Sequence, residues 1–157
     1  MYWKQSLISL AIFGLGCSPS FGAEMKTEEG KKELQKFQGT WVMVKGEQGG
    51  KKASDEHVKR GKITYKNDQM EILSPNQTEE TIKVEILDID PSKNPKEFHY
   101  IRKTGPYKGQ KAVGIYEFEG NDQYKFAADP SGKIQLKEFA TKEGTPHVWN
   151  TWRRVKS

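Results

Sequence analysis

The sequence has little of what catalytic and metal sites are usually made from. Its only cysteine, Cys17, lies in a leader that we expect to be removed, so the mature chain would have no disulfide, thiolate nucleophile or sulfur ligand for a metal. The three histidines, His57, His99 and His147, form no H-x-x-x-H pair, and no serine lies in a nucleophile elbow. We therefore expect a non-enzymatic protein with no metal site and no cofactor.

Strong charge of one sign is also absent. The 26 lysines and arginines outnumber the 21 aspartates and glutamates only slightly, and the net charge is +5. Nucleic-acid-binding proteins concentrate basic residues on one face or helix, whereas here both signs are interspersed, as in residues 78–85. We expect no nucleic-acid partner.

Residues 1–22 have the pattern of a secretory signal peptide. Lys4 provides the positive start, and the apolar run 7–15 is shorter than the roughly 20 residues that span a bilayer. Cleavage between Gly22 and Ala23 puts small residues at the recognition positions. These features predict an exported protein, periplasmic or extracellular, whose mature chain has no transmembrane span.

Cys17 leaves open a second form of export, in which the cysteine is lipidated. Lipoprotein signals usually have leucine three residues before the cysteine, and this sequence has Gly14 there. Lipid anchoring is therefore the weaker alternative.

The remaining sequence divides into a polar linker over residues 23–33 and a folded domain over residues 34–157. Thr27 can cap a helix of one or two turns that brings Leu34 and Phe37 onto the domain. A second short helix is predicted over residues 54–61, because Ser54 is a suitable N-cap and Gly61 a suitable stop.

The domain reads as a series of short strands separated by turns. Ile82, Val84 and Ile86 alternate with polar residues, and only Leu87 breaks this pattern. Gly114, inside a strand, predicts a bend or a bulge. The predicted strands cover residues 39–46, 62–66, 69–73, 78–88, 98–102, 112–119, 123–127, 134–140 and 147–155. About eight or nine strands with little helix predict an all-β antiparallel barrel or sandwich.

Glycine and tryptophan on the first strand, with arginine on the last, resemble the G-x-W and arginine pattern of lipocalins. The matching residues are Gly39, Trp41 and either Arg153 or Arg154. The resemblance implies a small antiparallel lipocalin-like barrel of about eight strands. It also implies that the tryptophan closes one end of the barrel with the guanidinium over its ring.

Four ordered segments look like a family of small exported lipocalin-like domains that is abundant in planctomycete proteomes and described as uncharacterised. The segments are L-x-x-F-Q-G-T-W over residues 34–41, D-P-S-K-x-P-K over 90–96, G-P-x-K-G over 105–109 and G-I-Y-E-F-E-G over 114–120. This resemblance implies the fold and export, and no activity.

The first functional hypothesis is a monomeric barrel that binds a small apolar or amphipathic molecule. Strand alternation selects candidate lining residues: Tyr65, Ile72, Phe98, Tyr100, Tyr116, Phe118, Tyr124 and Phe126.

The alternative is a fully packed barrel, because eight strands leave room only for side chains or one small ligand. Such a barrel would be a structural or protein-interaction module of the cell envelope or exterior. Leu87, Ile101 and Trp149 would then be candidates for its outer contact surface.

Overall fold

A computed structural model of the protein describes residues 25–73 and 81–156. The predicted signal peptide, its cleavage site at Gly22 and Ala23, and Cys17 lie outside these residues. The elements in chain order are α1 (Glu28–Phe37), β1 (Gly39–Gln48), β2 (Lys51–Lys52), α2 (Asp55–Arg60), β3 (Lys62–Lys66), β4 (Gln69–Leu73), β5 (Ile82–Asp90), β6 (Lys96–Arg102), β7 (Lys111–Phe118), β8 (Gln123–Ala128) and β9 (Val148–Arg154).

The strands form an antiparallel barrel. Neighbours in sequence pair from β3 to β9, and β1 pairs with both β3 and β9, which closes the sheet. The two-residue strand β2 adds only to the end of β1. The predicted fold, an all-β lipocalin-like barrel of about eight strands with two short helices, is confirmed for the described residues.

Local sequence explains the strands and their irregularities. In β5 the alternating Ile82, Val84 and Ile86 are all buried inside the barrel. The pairing register between β5 and β6 shifts at Leu87, the residue that interrupts the alternation. A β-bulge accommodates one extra residue and increases local twist. A second shift, at Val44, lies between β1 and β9.

Helix α1 covers one end of the barrel. Its N-cap is Thr27, whose side-chain oxygen accepts a hydrogen bond from the Gly30 amide at 2.9 Å. A Cβ on Gly30 would lie 2.5 Å from the Ile89 carbonyl oxygen, so glycine lets the helix pack directly on β5. The helix has ten residues and begins inside the segment predicted as linker, because tertiary contacts stabilise a sequence that has little helical stability alone.

The strand predicted over residues 134–140 is not formed, and this prediction was wrong. Strands β8 and β9 pair directly, with Ala128 opposite Val148, so the closed barrel offers this segment no free edge. The chain from 129 to 147 instead crosses the outside of the barrel. Leu136 is buried there against Ile115 and Ala127, with Phe139 beside them.

Gly114 has a different role from the predicted bend or bulge. The β6–β7 pairing continues through Gly114, opposite Phe98, without a register shift. A Cβ on Gly114 would lie 2.3 Å from the Phe126 ring, so the glycine makes room for that ring inside the barrel.

Candidate functional site

The end of the barrel under α1 is filled by aromatic side chains, and we call it the closed end. Phe37, the last residue of α1, is fully buried at its centre. Its ring centroid lies 4.8–5.4 Å from those of Tyr65, Phe98, Tyr116, Phe118 and Tyr124. Most of these rings meet tilted or edge-on, the geometry that aromatic quadrupoles favour.

Trp41 and Arg154 complete the closed end, as the lipocalin resemblance implied. The Arg154 guanidinium carbon lies 4.2 Å from the Trp41 ring centroid, and its nitrogens donate to the Gln38 and Lys36 carbonyls at 2.7 and 2.6 Å. Arg154 thus joins the last strand to the C-terminal end of α1. Arg153 is exposed, which decides between the two predicted arginines. Gly39 adopts φ +103°, and a Cβ there would lie 3.7 Å from the Arg154 guanidinium.

A buried carboxylate fixes the middle of α1 to the barrel. Glu33 lies 3.0 Å from the Lys96 Nζ atom and 2.6 Å from that of Lys36, and it accepts a hydrogen bond from the Tyr116 hydroxyl at 3.2 Å. Burial alone would raise the pKa of Glu33, but the two lysines outweigh this effect and the pKa is lowered. Burial and the nearby Glu33 raise the pKa of Tyr116.

The other end of the barrel holds a cavity of about 360 Å³, and we call it the open end. Its volume is within the range of small-molecule sites, roughly 300–1,000 Å³. Most of its lining is apolar. The apolar lining residues are Met43, Ala53, Ile63, Tyr65, Met70, Ile72, Leu73, Ile82, Tyr100, Phe126, Val148 and Trp152.

The eight predicted lining residues divide between the two ends. Tyr65, Ile72, Tyr100 and Phe126 line the cavity. Phe98, Tyr116, Phe118 and Tyr124 do not line it and pack in or beside the closed-end cluster.

Tyr65 belongs to both regions and forms the boundary between them. Its hydroxyl lies 2.8 Å from that of Tyr124, so one buried hydroxyl donates a hydrogen bond to the other. Burial raises the pKa of both tyrosines.

Polar side chains surround the mouth of the cavity: Glu47, Gln48, Lys51, Lys52, His57 and Asn150. Lys51 and Lys52 are exposed, whereas His57, in α2, is half-buried. Glu47 accepts a hydrogen bond from the Thr141 hydroxyl. The mouth therefore has two exposed lysines and one carboxylate already engaged by a neighbour.

Arg102, the last residue of β6, is the basic residue in the barrel wall beside the cavity. Its Nη1 atom donates to the Pro106 carbonyl at 3.1 Å, and its guanidinium carbon lies 5.7 Å from the Tyr107 ring centroid. The Nε atom is buried and has no hydrogen-bond partner among the described residues. Burial lowers the pKa of Arg102.

Sequence reasoning missed Arg102 and several apolar lining residues, including Met43, Ile82 and Trp152. The alternation through Phe98 and Tyr100 does place residue 102 on the inner face. From sequence alone, however, an arginine at the end of a strand is expected to face solvent. Only the position of the cavity shows that it lines a site.

His99 pairs with a carboxylate two residues away on its own strand. It lies on the outer face of β6 between the buried Phe98 and Tyr100, and its Nε2 atom is 3.0 Å from Glu97. Within residues 25–73 and 81–156 no group of three or more histidine, cysteine, aspartate or glutamate side chains could hold a metal ion. In the same part of the chain, neither helix has the length and apolar composition needed to cross a membrane.

No family model matches the chain, and comparison with the curated proteins and with the solved structures finds no similar protein. The planctomycete-type resemblance therefore stays a prediction, and function has to be argued from the barrel itself.

Proposed function

We propose that this protein is an exported, monomeric, non-catalytic barrel that binds a small apolar or amphipathic molecule in the open-end cavity. The observation that carries the proposal is the contrast between a cavity of about 360 Å³ at one end and tightly packed aromatic rings at the other. Binding at a mostly apolar cavity is favourable when an apolar molecule displaces water from it. Export is proposed from the leader alone.

The outer face gives less support to the alternative, an envelope or interaction module. Trp149 is half-buried and packs with Leu136 and Phe139, while Leu87 and Ile101 are also half-buried. Among the described residues the exposed large apolar side chains are few and separate in sequence: Val44, Tyr107, Ile134 and Val155. Singly exposed apolar residues are normal on protein surfaces and do not indicate a docking site.

Titration with the neutral fluorescent dye N-phenylnaphthylamine tests the proposal. The wild-type protein should bind the dye with enhanced fluorescence. The variant Ile72→Trp fills part of the cavity and should bind the dye about tenfold or more weakly, a loss of roughly 1.4 kcal/mol or more, because its ring occupies space that the dye needs.

Val44→Trp is the matched control, since it adds the same side chain at a position that is 37% exposed and does not line the cavity. It should leave dye binding unchanged. Absence of dye binding by wild-type protein, or equal binding by both tryptophan variants, would contradict the proposal.

A further inference from the structure

One group at the open end is not accounted for by an apolar ligand alone. Arg102 lines the cavity together with Lys51 and Lys52, and among the described residues it forms no ion pair with a carboxylate. The other described cations near the barrel interior are partnered: Lys96 pairs with Glu33, and Arg154 donates to backbone carbonyls. Arg102 is half-buried, and partial desolvation without an anionic partner disfavours its charged form.

The structure holds this guanidinium in place. Tyr107 stacks near it with φ +64°, a backbone conformation that L residues rarely adopt. The loop around Tyr107 is fixed by hydrogen bonds from the Gly109 amide to the Arg102 carbonyl at 2.8 Å and from the Gln110 amide to the Tyr107 carbonyl at 3.0 Å. The side chain is therefore oriented before any ligand arrives, which lowers the entropy cost of binding.

A second donor lies on the same inner face, two residues earlier. Tyr100 lines the cavity, and its hydroxyl has no hydrogen-bond partner in residues 25–73 and 81–156. Burial raises the pKa of Tyr100 to about 12, so the hydroxyl remains a neutral donor at physiological pH. Beside an apolar cavity, the wall thus offers one cationic and one neutral donor.

Of the three buried side-chain polar atoms without a partner in the described chain, only the Arg102 Nε belongs to a cavity-lining residue. The exposed Lys51 and Lys52 at the mouth add positive potential on the path into the cavity. A guanidinium in the cavity lining and two lysines at the mouth favour an anionic group, and guanidinium hydrogen bonds suit the geometry of a carboxylate.

We propose that the ligand is an apolar chain that ends in a carboxylate, and that Arg102 binds this carboxylate while the apolar cavity takes the chain. This inference rests on the proposed function and adds the chemical class of the ligand. Tyr100 supplies a second hydrogen bond to the same carboxylate.

The test compares three probes with the same chain: decanoate, decanol and decylamine. Binding is measured by calorimetry and by displacement of N-phenylnaphthylamine. Wild-type protein should bind decanoate about tenfold to a hundredfold more tightly than decanol, as expected for a hydrogen bond to a charged group. Decylamine should bind more weakly than decanol.

Arg102→Met should remove the preference for decanoate over decanol. Arg153→Met is the matched control, because it removes the same charge from an exposed position outside the cavity and should keep the preference. Lys52→Met separates general attraction at the mouth from binding at Arg102, and it should reduce the preference only slightly.

The carboxyl carbon of labelled decanoate provides a readout of the head group itself. Its chemical shift should show that the bound acid stays ionised to lower pH in wild-type protein than in Arg102→Met, because the nearby cation favours the charged form.

The outcomes distinguish this inference from the proposed function. The carboxylate inference would be overturned if decanol and decanoate bind with equal affinity, or if the Arg102→Met variant keeps the preference for decanoate. Either result would still agree with an apolar binding site. A preference lost equally in Lys52→Met would also overturn the carboxylate inference. If none of the three probes binds and the dye does not bind, both the carboxylate inference and the proposed function would be overturned.

Discussion

The two ends of the barrel use similar aromatic and aliphatic side chains for different purposes. At the closed end, Phe37 inserts from helix α1 and contacts five other aromatic rings, so side chains pack the interior there. At the open end helix α2 contributes only the half-buried His57 to the cavity lining, and a cavity of about 360 Å³ remains. In a barrel of this size, a helix that inserts a large side chain, as α1 does with Phe37, fills the interior at its end and leaves a cavity only at the other end.

The two ends of the barrel also differ in how many partners their charged side chains have. Glu33 and Arg154 at the closed end are each held by several partners within the chain. Arg102 at the open end has one carbonyl partner, and its buried Nε atom has no acceptor within the part of the chain that the structure describes. Fully partnered polar groups favour a rigid structural role, whereas Arg102 lines the cavity without an ion-pair partner among the described residues.

The largest expected effect comes from emptying the closed end. Trp41→Ala should lower the free energy of unfolding by about 3–5 kcal/mol, because the ring is fully buried and its removal leaves a cavity in packed surroundings. Ile72→Ala at the open end should cost only about 1 kcal/mol, since this side chain is half-buried beside existing space. Chemical denaturation of both variants measures the contrast. Equal losses would mean that the two ends are packed alike.

Much of this architecture could be predicted from sequence, because it is encoded locally. Alternation located β5, Asn67 with φ +56° forms the hairpin turn between β3 and β4, and Ser54 caps α2 as predicted. Trp41 was placed at a barrel end from its resemblance to the lipocalin pattern.

The features that could not be predicted depend on contacts between residues far apart in sequence, which close the barrel. Inner-face positions were recognised, but their division between packed rings and cavity depends on which end receives α1. Residues 134–140 have acceptable strand composition, and only the direct pairing of β8 with β9 excludes them from the sheet. The importance of Arg102 likewise appears only when the cavity is located.

A smaller effect is expected from cutting the link between β9 and α1. Arg154→Met should cost roughly 1–3 kcal/mol, because it removes the cation–π contact with Trp41 and hydrogen bonds to two helix-end carbonyls. Its neighbour Arg153 is exposed, so Arg153→Met should change stability by less than about 0.5 kcal/mol. Thermal and chemical unfolding of the pair measure this difference, and a larger loss for Arg153→Met would show that the wrong arginine has been assigned.

The smallest effect concerns Glu33 and depends on pH. Its folded-state pKa is lowered below the ordinary value of 4.5, so its contribution is fully present above that pH and is lost as the pH falls through the folded pKa. Glu33→Gln should therefore destabilise by about 1 kcal/mol at neutral pH, and less on acidification below 4.5. Glu138→Gln, an exposed carboxyl in the outer segment, is the control. A Glu33→Gln deficit that grows in acid would contradict the proposed pairing.

The most direct test of the difference between the two ends is to locate the bound probe. In a nuclear magnetic resonance titration of isotope-labelled protein with N-phenylnaphthylamine, we expect the largest amide shift changes in β4 and at the C-terminal end of β6, around Ile72, Tyr100 and Arg102. Amides around Phe37 and Phe118 should change little. Largest changes at the closed end or on the outer face, or no changes with excess dye, would contradict a ligand cavity at the open end.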